Sequence, residues 1–396
     1  MSMYLGFQCC IEIDERLYFS SFRGNGLFCY NGEAVEHICS FEEEGPKLFS
    51  HATQYGDRIY FTPLTASRIY FYDLKMKRLD KIEYGDKSIA DFGVSILNGK
   101  VLYMFPTYYS GILKLNLETH DIDIIDSWLN DDYERCKMSE APYFRGDYVR
   151  NGDVVYIPFS NAHAVLEFHL GGGESNVHDV GKQDYSTIAS DGNKFWMAPR
   201  TSGAIVSWNP STCEDIEYPN FPEGFLQGGF VGSFFEDGYV WIFPETSNMV
   251  LKINAQTGEI VEEVGFSDIC GHKMRGYSVW NAVFVYMKKN AERILLCSGR
   301  SSEIVFFHPN TGEVRRFRLE LPDQTASLFK EEPYQWYAAF RNKKIKRLFS
   351  YENQSYDVGA YLEYVVECSE YIEEYLMEKK EENSKDFGEV IYRGVW

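Results

Sequence analysis

The sequence predicts an all-β fold, a seven-bladed β-propeller of four-stranded antiparallel blades, with a C-terminal helical extension. Three observations carry this. A cadence of large apolar residues recurs seven times along the chain. The copies begin roughly 40–50 residues apart, the length of one propeller blade. Each copy also reads as four short strands separated by turn-forming residues.

The cadence shows best in FVGSFFEDGYVWIFPETSNMVLKI, which runs from Phe230 to Ile253. It opens on an aromatic residue, reaches Trp241 eleven positions later and Val250 nine beyond that. The opening residues of the seven copies are Phe7, Phe49, Phe92, Phe144, Tyr185, Phe230 and Trp280. The second landmarks are Tyr18, Tyr60, Tyr103, Tyr156, Trp196, Trp241 and Leu295; the third are Leu27, Ile69, Ile112, Val165, Ile205, Val250 and Ile304. The second gap is nine in all seven, whereas the first stretches to twelve in the fourth copy and fifteen in the seventh. Only 16% of the chain is aromatic, so an aromatic opener in every copy is a pattern and not an accident of composition. Blades pack face to face, and their apolar faces have no other burial, so these landmarks are expected to form the inter-blade core.

Taken in order, the second copy shows the four strands most plainly: LFSHATQY, RIYFTPL, SRIYFYDL and RLDKIEY, with Gly56 in the first turn. Turns between third and fourth strands carry Asn31-Gly32, Thr257-Gly258 and Thr311-Gly312, pairs that tolerate the left-handed backbone of a tight hairpin. Gly171-Gly172-Gly173 sits between two strands of the fourth copy, so it reads as such a turn; a phosphate cradle would need a following helix. Polar insertions at residues 129–142 and 267–276 fall between blades, on the face where propeller loops tend to carry function. The seventh copy swells by about four residues around Lys288, read as a longer hairpin between its first two strands.

The propeller is expected over 1–325 and the extension over 326–396. The extension holds the only basic run, Arg341, Lys343, Lys344, Lys346 and Arg347. Asp357 is placed to cap a helix over about 357–383, with Leu362, Val365, Val366, Ile372 and Leu376 on one stripe. An apolar tail follows, including Phe387, Ile391 and Trp396. Helix and tail dock either on the propeller or on a protein partner.

Composition narrows the partners. The net charge of −20 argues against nucleic acid and anionic membranes, which demand a basic face. No apolar run approaches the ~18 residues of a membrane span. The N-terminus has no basic stretch ahead of an apolar one, as a secretory signal would. Nine scattered cysteines without a C-x-x-C fit reduced thiols in a cytoplasmic protein. The eight histidines are dispersed, with no H-x-H or H-E-x-x-H, and no metal or cofactor is indicated.

Counting from the cadence locates the channel mouth, where propeller ligands bind. Four and five positions after the second landmarks come Arg23, Tyr108, Asn161, Arg200, Glu245 and Arg300; the innermost strands add Gln8, His51, Arg145 and Asn281. The arginines offer forks for carboxylate or phosphate, and Tyr108 and Phe22 offer rings for stacking. The ligand expected is an anionic or polyhydroxylated small molecule, or an acidic peptide. Two alternatives accompany this: the arginines brace loops by pairing with Glu245, Glu303, Asp91 or Asp184, or Glu245 and His51 serve as acid and base of a lyase, isomerase or glycan-active enzyme.

The fifth and sixth copies, Asp191-Gly192 running to Trp196 and Asp237-Gly238-Tyr239-Val240-Trp241-Ile242-Phe243-Pro244-Glu245, resemble the D-G-x-x-W-F-T-E repeat of streptogramin lyase-like propellers. The Asn254–Gly258 turn is similar to those of quinoprotein and kelch-type repeats, although the kelch diglycine appears only as Gly228-Gly229. The lyase resemblance implies a metal-assisted elimination run by histidine and glutamate at the mouth. As aligned, the family's histidine falls on the opening landmark, which here is Phe, Tyr or Trp in every copy, and its glutamate survives only as Glu245, displaced by one. What the resemblance carries over is the fold.

Overall fold

The computed structural model describes residues 5–329, apart from 44, 46, 85–91, 108–110, 127–142, 145, 161, 201, 271–281, 291–292, 321–324 and 326–327. These belong to the first of two compact units, Met1–Lys344; the second is Ile345–Trp396. The expected basic run, the helix at 357–383 and the apolar tail lie outside the described residues, as do Tyr108, Asn161, Arg145, Asn281 and Trp280.

Twenty-eight strands among the described residues, β1 to β28 in chain order, form seven four-stranded sheets. Each sheet uses four consecutive strands, paired antiparallel in the order of the chain. The blades span 7–39, 49–83, 92–125, 149–179, 185–218, 230–262 and 284–318. The strands read from the second copy are found as β5 (Phe49–Tyr55), β6 (Arg58–Pro63), β7 (Arg68–Asp73) and β8 (Arg78–Glu83). The hairpin glycines do the expected work: Gly32, Gly258 and Gly312 have φ of 95°, 75° and 69°, a region that favours residues without a Cβ.

The ring is closed by seven apolar clusters, one at each blade interface. The landmarks divide between them by rule. Phe7, Phe49, Phe92, Phe144, Tyr185 and Phe230 each pack into the interface with the preceding blade. Tyr18, Tyr60, Tyr103, Trp196, Trp241 and Leu295 pack into the interface with the following one, together with every third landmark. Each wedge therefore locks both neighbours, which is why the cadence must repeat in step. Tyr156 is the exception, packing only half-buried against its interface.

One assignment needs correction. The seventh blade begins at Phe284, the first residue of β25 (Phe284–Lys289), and Phe284 pairs with Ser298 just as Phe7 pairs with Ser21. Phe284 also packs toward the preceding blade, as an opener does. It lies eleven residues before Leu295, so the cadence holds and the additional residues precede the blade.

The first strand of each blade lies nearest the axis: β1 (Phe7–Ile13) meets β5 and β25, and β17 (Tyr185–Ser190) meets β21 (Phe230–Glu236). The seam between blades seven and one holds without a covalent link among the described residues. Arg293 donates to the Glu12 carboxylate at 2.5 Å, and the Leu5 amide donates to Ser302 Oγ at 2.8 Å. Beyond the last blade the chain crosses the seam. Phe329, 5% exposed, forms an antiparallel bridge with Gly24 and sets its ring 5.2 Å from that of Phe28.

Candidate functional site at the channel mouth

Proline builds the mouth. The second strand of blades two to six ends on Pro63, Pro106, Pro158, Pro199 and Pro244. Proline cannot donate to a ladder, so pairing stops there and the next residue turns into the loop. Arg200 and Glu245 are two of those next residues. Their positions are coupled by Gly229, in the connection from blade five to blade six. A Cβ on Gly229 would lie 3.1 Å from the Arg200 carbonyl oxygen and 3.2 Å from Glu245 Oε2. The neighbouring Gly228 has even less room, with a Cβ falling 2.6 Å from the Thr246 carbonyl carbon. Thr246 Oγ1 accepts from the Gly229 amide at 2.7 Å and fixes the passage.

Arg200 is half-buried and braced. Its Nη1 donates to the Ser160 carbonyl of blade four at 2.8 Å, and its amide donates to the Asp184 carbonyl at 3.2 Å. Burial raises the Asp184 carboxyl, while the nearby Arg200 guanidinium pulls it back. Arg300 is also half-buried and donates to the Ile269 carbonyl in α1 (Ser267–Cys270), the one-turn helix of the next inter-blade connection. Burial lowers its affinity for the proton, an effect that Cys270 and Glu303 oppose. Arg23 is 4% exposed and lies against Gly6, whose Cβ would meet its Cγ at 2.8 Å. The arginines thus occupy blades one, five and seven, and Gly229 packs between the Arg200 backbone and the Glu245 carboxylate. Phe22, expected as a stacking surface, is 1% exposed and belongs to the core.

His51 lies on β5 in blade two, beside the register shift between Phe49 and His51. Its Nδ1 is buried without a hydrogen bond, and burial pushes the imidazole down to about 4, so it is neutral at pH 7. Glu245 is in blade six, with blades seven and one between them on the shorter arc. An acid and base sharing one reacting atom must both reach it, and these begin from different sectors.

Two further features lie near the mouth and leave little trace in the repeat pattern. The first is Asp147, just ahead of β13 (Val149–Asn151). Its Oδ2 accepts the Ser233 amide of blade six at 3.2 Å, and its Oδ1 accepts the Tyr148 amide at 2.9 Å. Asp147 is half-buried, and burial raises its carboxyl to about 7. Gly146 admits this arrangement, since a Cβ there would fall 2.0 Å from the Ser186 carbonyl oxygen. The second is a stack of rings in the connection over residues 219–229. Phe221 and Phe225 lie 4.4 Å apart at 13°, and Phe225 lies 6.4 Å from Phe230 at 6°. An aromatic pair four residues apart in a loop rich in Gly and Pro was the available signal. Among the described residues no group of three or more His, Cys, Asp or Glu could hold a metal ion.

No protein-family profile matches the chain, and no curated protein matches it in sequence. Solved structures do match in shape. Virginiamycin B lyase from Staphylococcus aureus is similar at a TM-score of 0.54 and 11% identity, over 74% of this chain and 92% of that one. The computationally designed Ika8 protein gives 0.53 at 9% identity, over 80% and 88%. Sqt1 from Saccharomyces cerevisiae gives 0.51 at 12%, over 79% and 83%. At such identities the likeness is one of fold. It agrees with the repeat-level resemblance to streptogramin lyases, and the chain is a seven-bladed propeller.

Proposed function

We propose that this propeller is a binding protein for an anionic or polyhydroxylated small ligand, or an acidic peptide segment, held at the channel mouth in the sector of blades four to six. The observation that carries the reading is the Arg200 guanidinium, half-buried directly after the second strand of blade five and fixed on the Ser160 carbonyl of blade four. A guanidinium anchored through one nitrogen on the Ser160 carbonyl keeps a fixed direction for its remaining donors. Glu245, which follows the second strand of blade six as Arg200 follows that of blade five, offers a carboxylate that accepts hydroxyl protons. Arg23, Arg145 and Arg300, with Tyr108 and Asn161, complete the proposed rim, and Arg300 also braces the turn at 267–270 through the Ile269 carbonyl. A cytoplasmic setting accords with the free thiols of the described cysteines, most of them buried.

Native mass spectrometry of the purified protein tests this reading. A retained small anion or acidic peptide, lost in Arg200→Ala with an unchanged fold, is expected. A wild-type mass without adduct in the presence of millimolar sugar acids, organic phosphates and acidic peptides would overturn it.

A further inference from the structure

Among the described residues the fourth strand of every blade has one edge without a ladder partner. Such an edge is a template for another strand, and the charges on it decide which strand it can take. Two of these edges are complementary. β20 (Glu214–Tyr218), at the rim of blade five, exposes Glu214, Asp215 and Glu217 around Ile216, which is 49% exposed. β28 (Glu313–Arg318), at the rim of blade seven, exposes Arg315, Arg316 and Arg318 around Phe317, which is 42% exposed. Each leaves a large apolar residue in water between charges of one sign, and the signs are opposite.

Pairing inside each blade fixes which face a side chain takes. Asp215 and Glu217 lie opposite Trp208 and Val206, on the face toward blade four. Ile216 and Tyr218 lie opposite Ser207 and Ile205, on the face toward blade six. Likewise Arg316 and Arg318 lie opposite Val305 and Glu303 on one face of blade seven, and Phe317 lies opposite Ile304 on the other.

Laid antiparallel with Ile216 against Phe317, the two edges match on both faces. Asp215 then meets Arg318 and Glu217 meets Arg316 on one face, while Ile216 meets Phe317 and Tyr218 meets Arg315 on the other. Directly opposed residues of an antiparallel pair share a face, so ionic and apolar pairs stay apart. A slip of one residue sets Ile216 against arginine. Pairing β20 with β20 sets carboxylates together, and pairing β28 with β28 sets guanidinium groups together; both are disfavoured. Arg316 donates to Asp268 at 2.7 Å and to Glu303 at 3.2 Å, and Glu217 lies 3.5 Å from Lys182. Exposed pairs of this kind are worth little and exchange partners readily.

We propose that the rims of blades five and seven join copies of this chain, β20 of one copy adding to β28 of the next so that two blades become one continuous sheet. Blade six separates the two edges on each molecule, so two copies cannot exchange both contacts at once. The contact is head-to-tail, and it builds a ring or a chain of copies. A pair of such short strands buries little area, so association is weak and depends on protein concentration.

Sedimentation of the full chain over a concentration series at low salt tests this. The weight-average mass is expected to climb with concentration and to fall back in ~1 M salt, where the Debye length is only ~3 Å. Asp215→Arg with Glu217→Arg, and separately Arg316→Glu with Arg318→Glu, should each weaken association about tenfold or more, because each leaves both edges with one sign. Mixed in equal amounts, the two variants should recover it, since every basic edge again finds an acidic one. Ile216→Lys disturbs none of the ion pairs within a blade and should weaken association as strongly; thermal melts show whether each variant is folded. A wild type that stays monomeric throughout would overturn the proposal. So would association unchanged in the folded variants, or a mixture of folded variants that stays monomeric.

Discussion

Asp147, at the start of blade four, accepts a hydrogen bond from the backbone amide of Ser233 in blade six at 3.2 Å. A carboxyl so placed is a keystone of the channel. It ties two blades that do not adjoin, and the close approach of Gly146 to Ser186 presses the blade between them.

Burial of this carboxyl makes stability depend on pH, and the hydrogen bonds from the Ser233 and Tyr148 amides moderate the effect. The carboxyl of Asp147 titrates near 7 in the fold but near ~3.9 when unfolded, so its contribution is complete below ~4 and is lost as pH rises to 7, at up to ~1.4 kcal/mol per pH unit. His51 works in the opposite direction. Its pKa of about 4 is below the unfolded value, so its contribution is present above ~6.5 and is lost as pH falls through 4. Between about 4 and 6.5 the two largely cancel. In thermal melts across pH 4.5–7.5, Asp147→Asn should therefore rise with pH more steeply than wild type, and His51→Asn should fall with pH. Parallel profiles for all three proteins would contradict the assignment.

Trp241 is 3% exposed, with the Phe307 ring 5.1 Å away and the Lys252 ammonium 4.6 Å above it. Trp241→Ala should cost about 3–5 kcal/mol in denaturant melts, as truncation of a large core residue does. A change within about 0.5 kcal/mol would put the side chain in solvent.

The crossing at Phe329 should matter to the ring. Phe329→Ala is expected to lower stability by ~3 kcal/mol, because it empties a buried position in the seam cluster. Phe317, 42% exposed on β28 (Glu313–Arg318), is the control, and Phe317→Ala should stay within about 0.5 kcal/mol. Equal effects at both positions would remove the crossing from the closure of the ring.

Gly146→Ala should be poorly tolerated although its backbone is not left-handed. The added methyl would meet backbone that cannot swing aside, at a cost in the upper part of the ~1–3 kcal/mol typical of overpacking. Gly56→Ala carries its burden through φ of 56° alone, with nothing within 4 Å of the new methyl. Urea melts of the two variants separate crowding from backbone strain, and an unchanged Gly146→Ala would show slack at the axis.

The fold was legible because blade packing is periodic. A residue such as Ile69 or Val250 must face its neighbour in every copy, so burial leaves its mark at fixed intervals. Where two aromatics stand close together, as Trp280 and Phe284 do, the eleven-residue gap to Leu295 and the strand pairing both decide for Phe284. The mouth was legible only in position. Counting from the cadence puts Arg23 just beyond the second strand of its blade, but no periodicity reveals that its side chain packs against Gly6. Asp147 left no sequence signal, since its partner is 86 residues away and is a backbone amide that any residue but proline supplies.

The central claim is an anion site built on Arg200 at the blade five–six mouth. Thermal-shift titration of wild type, Arg200→Ala and Glu245→Gln against a panel of sugar acids, organic phosphates and acidic peptides tests it most directly. We expect at least one anion to raise the wild-type melting temperature in a saturable way, with the effect abolished in Arg200→Ala and weakened in Glu245→Gln. A panel without any shift, or a shift that survives Arg200→Ala, would contradict the claim.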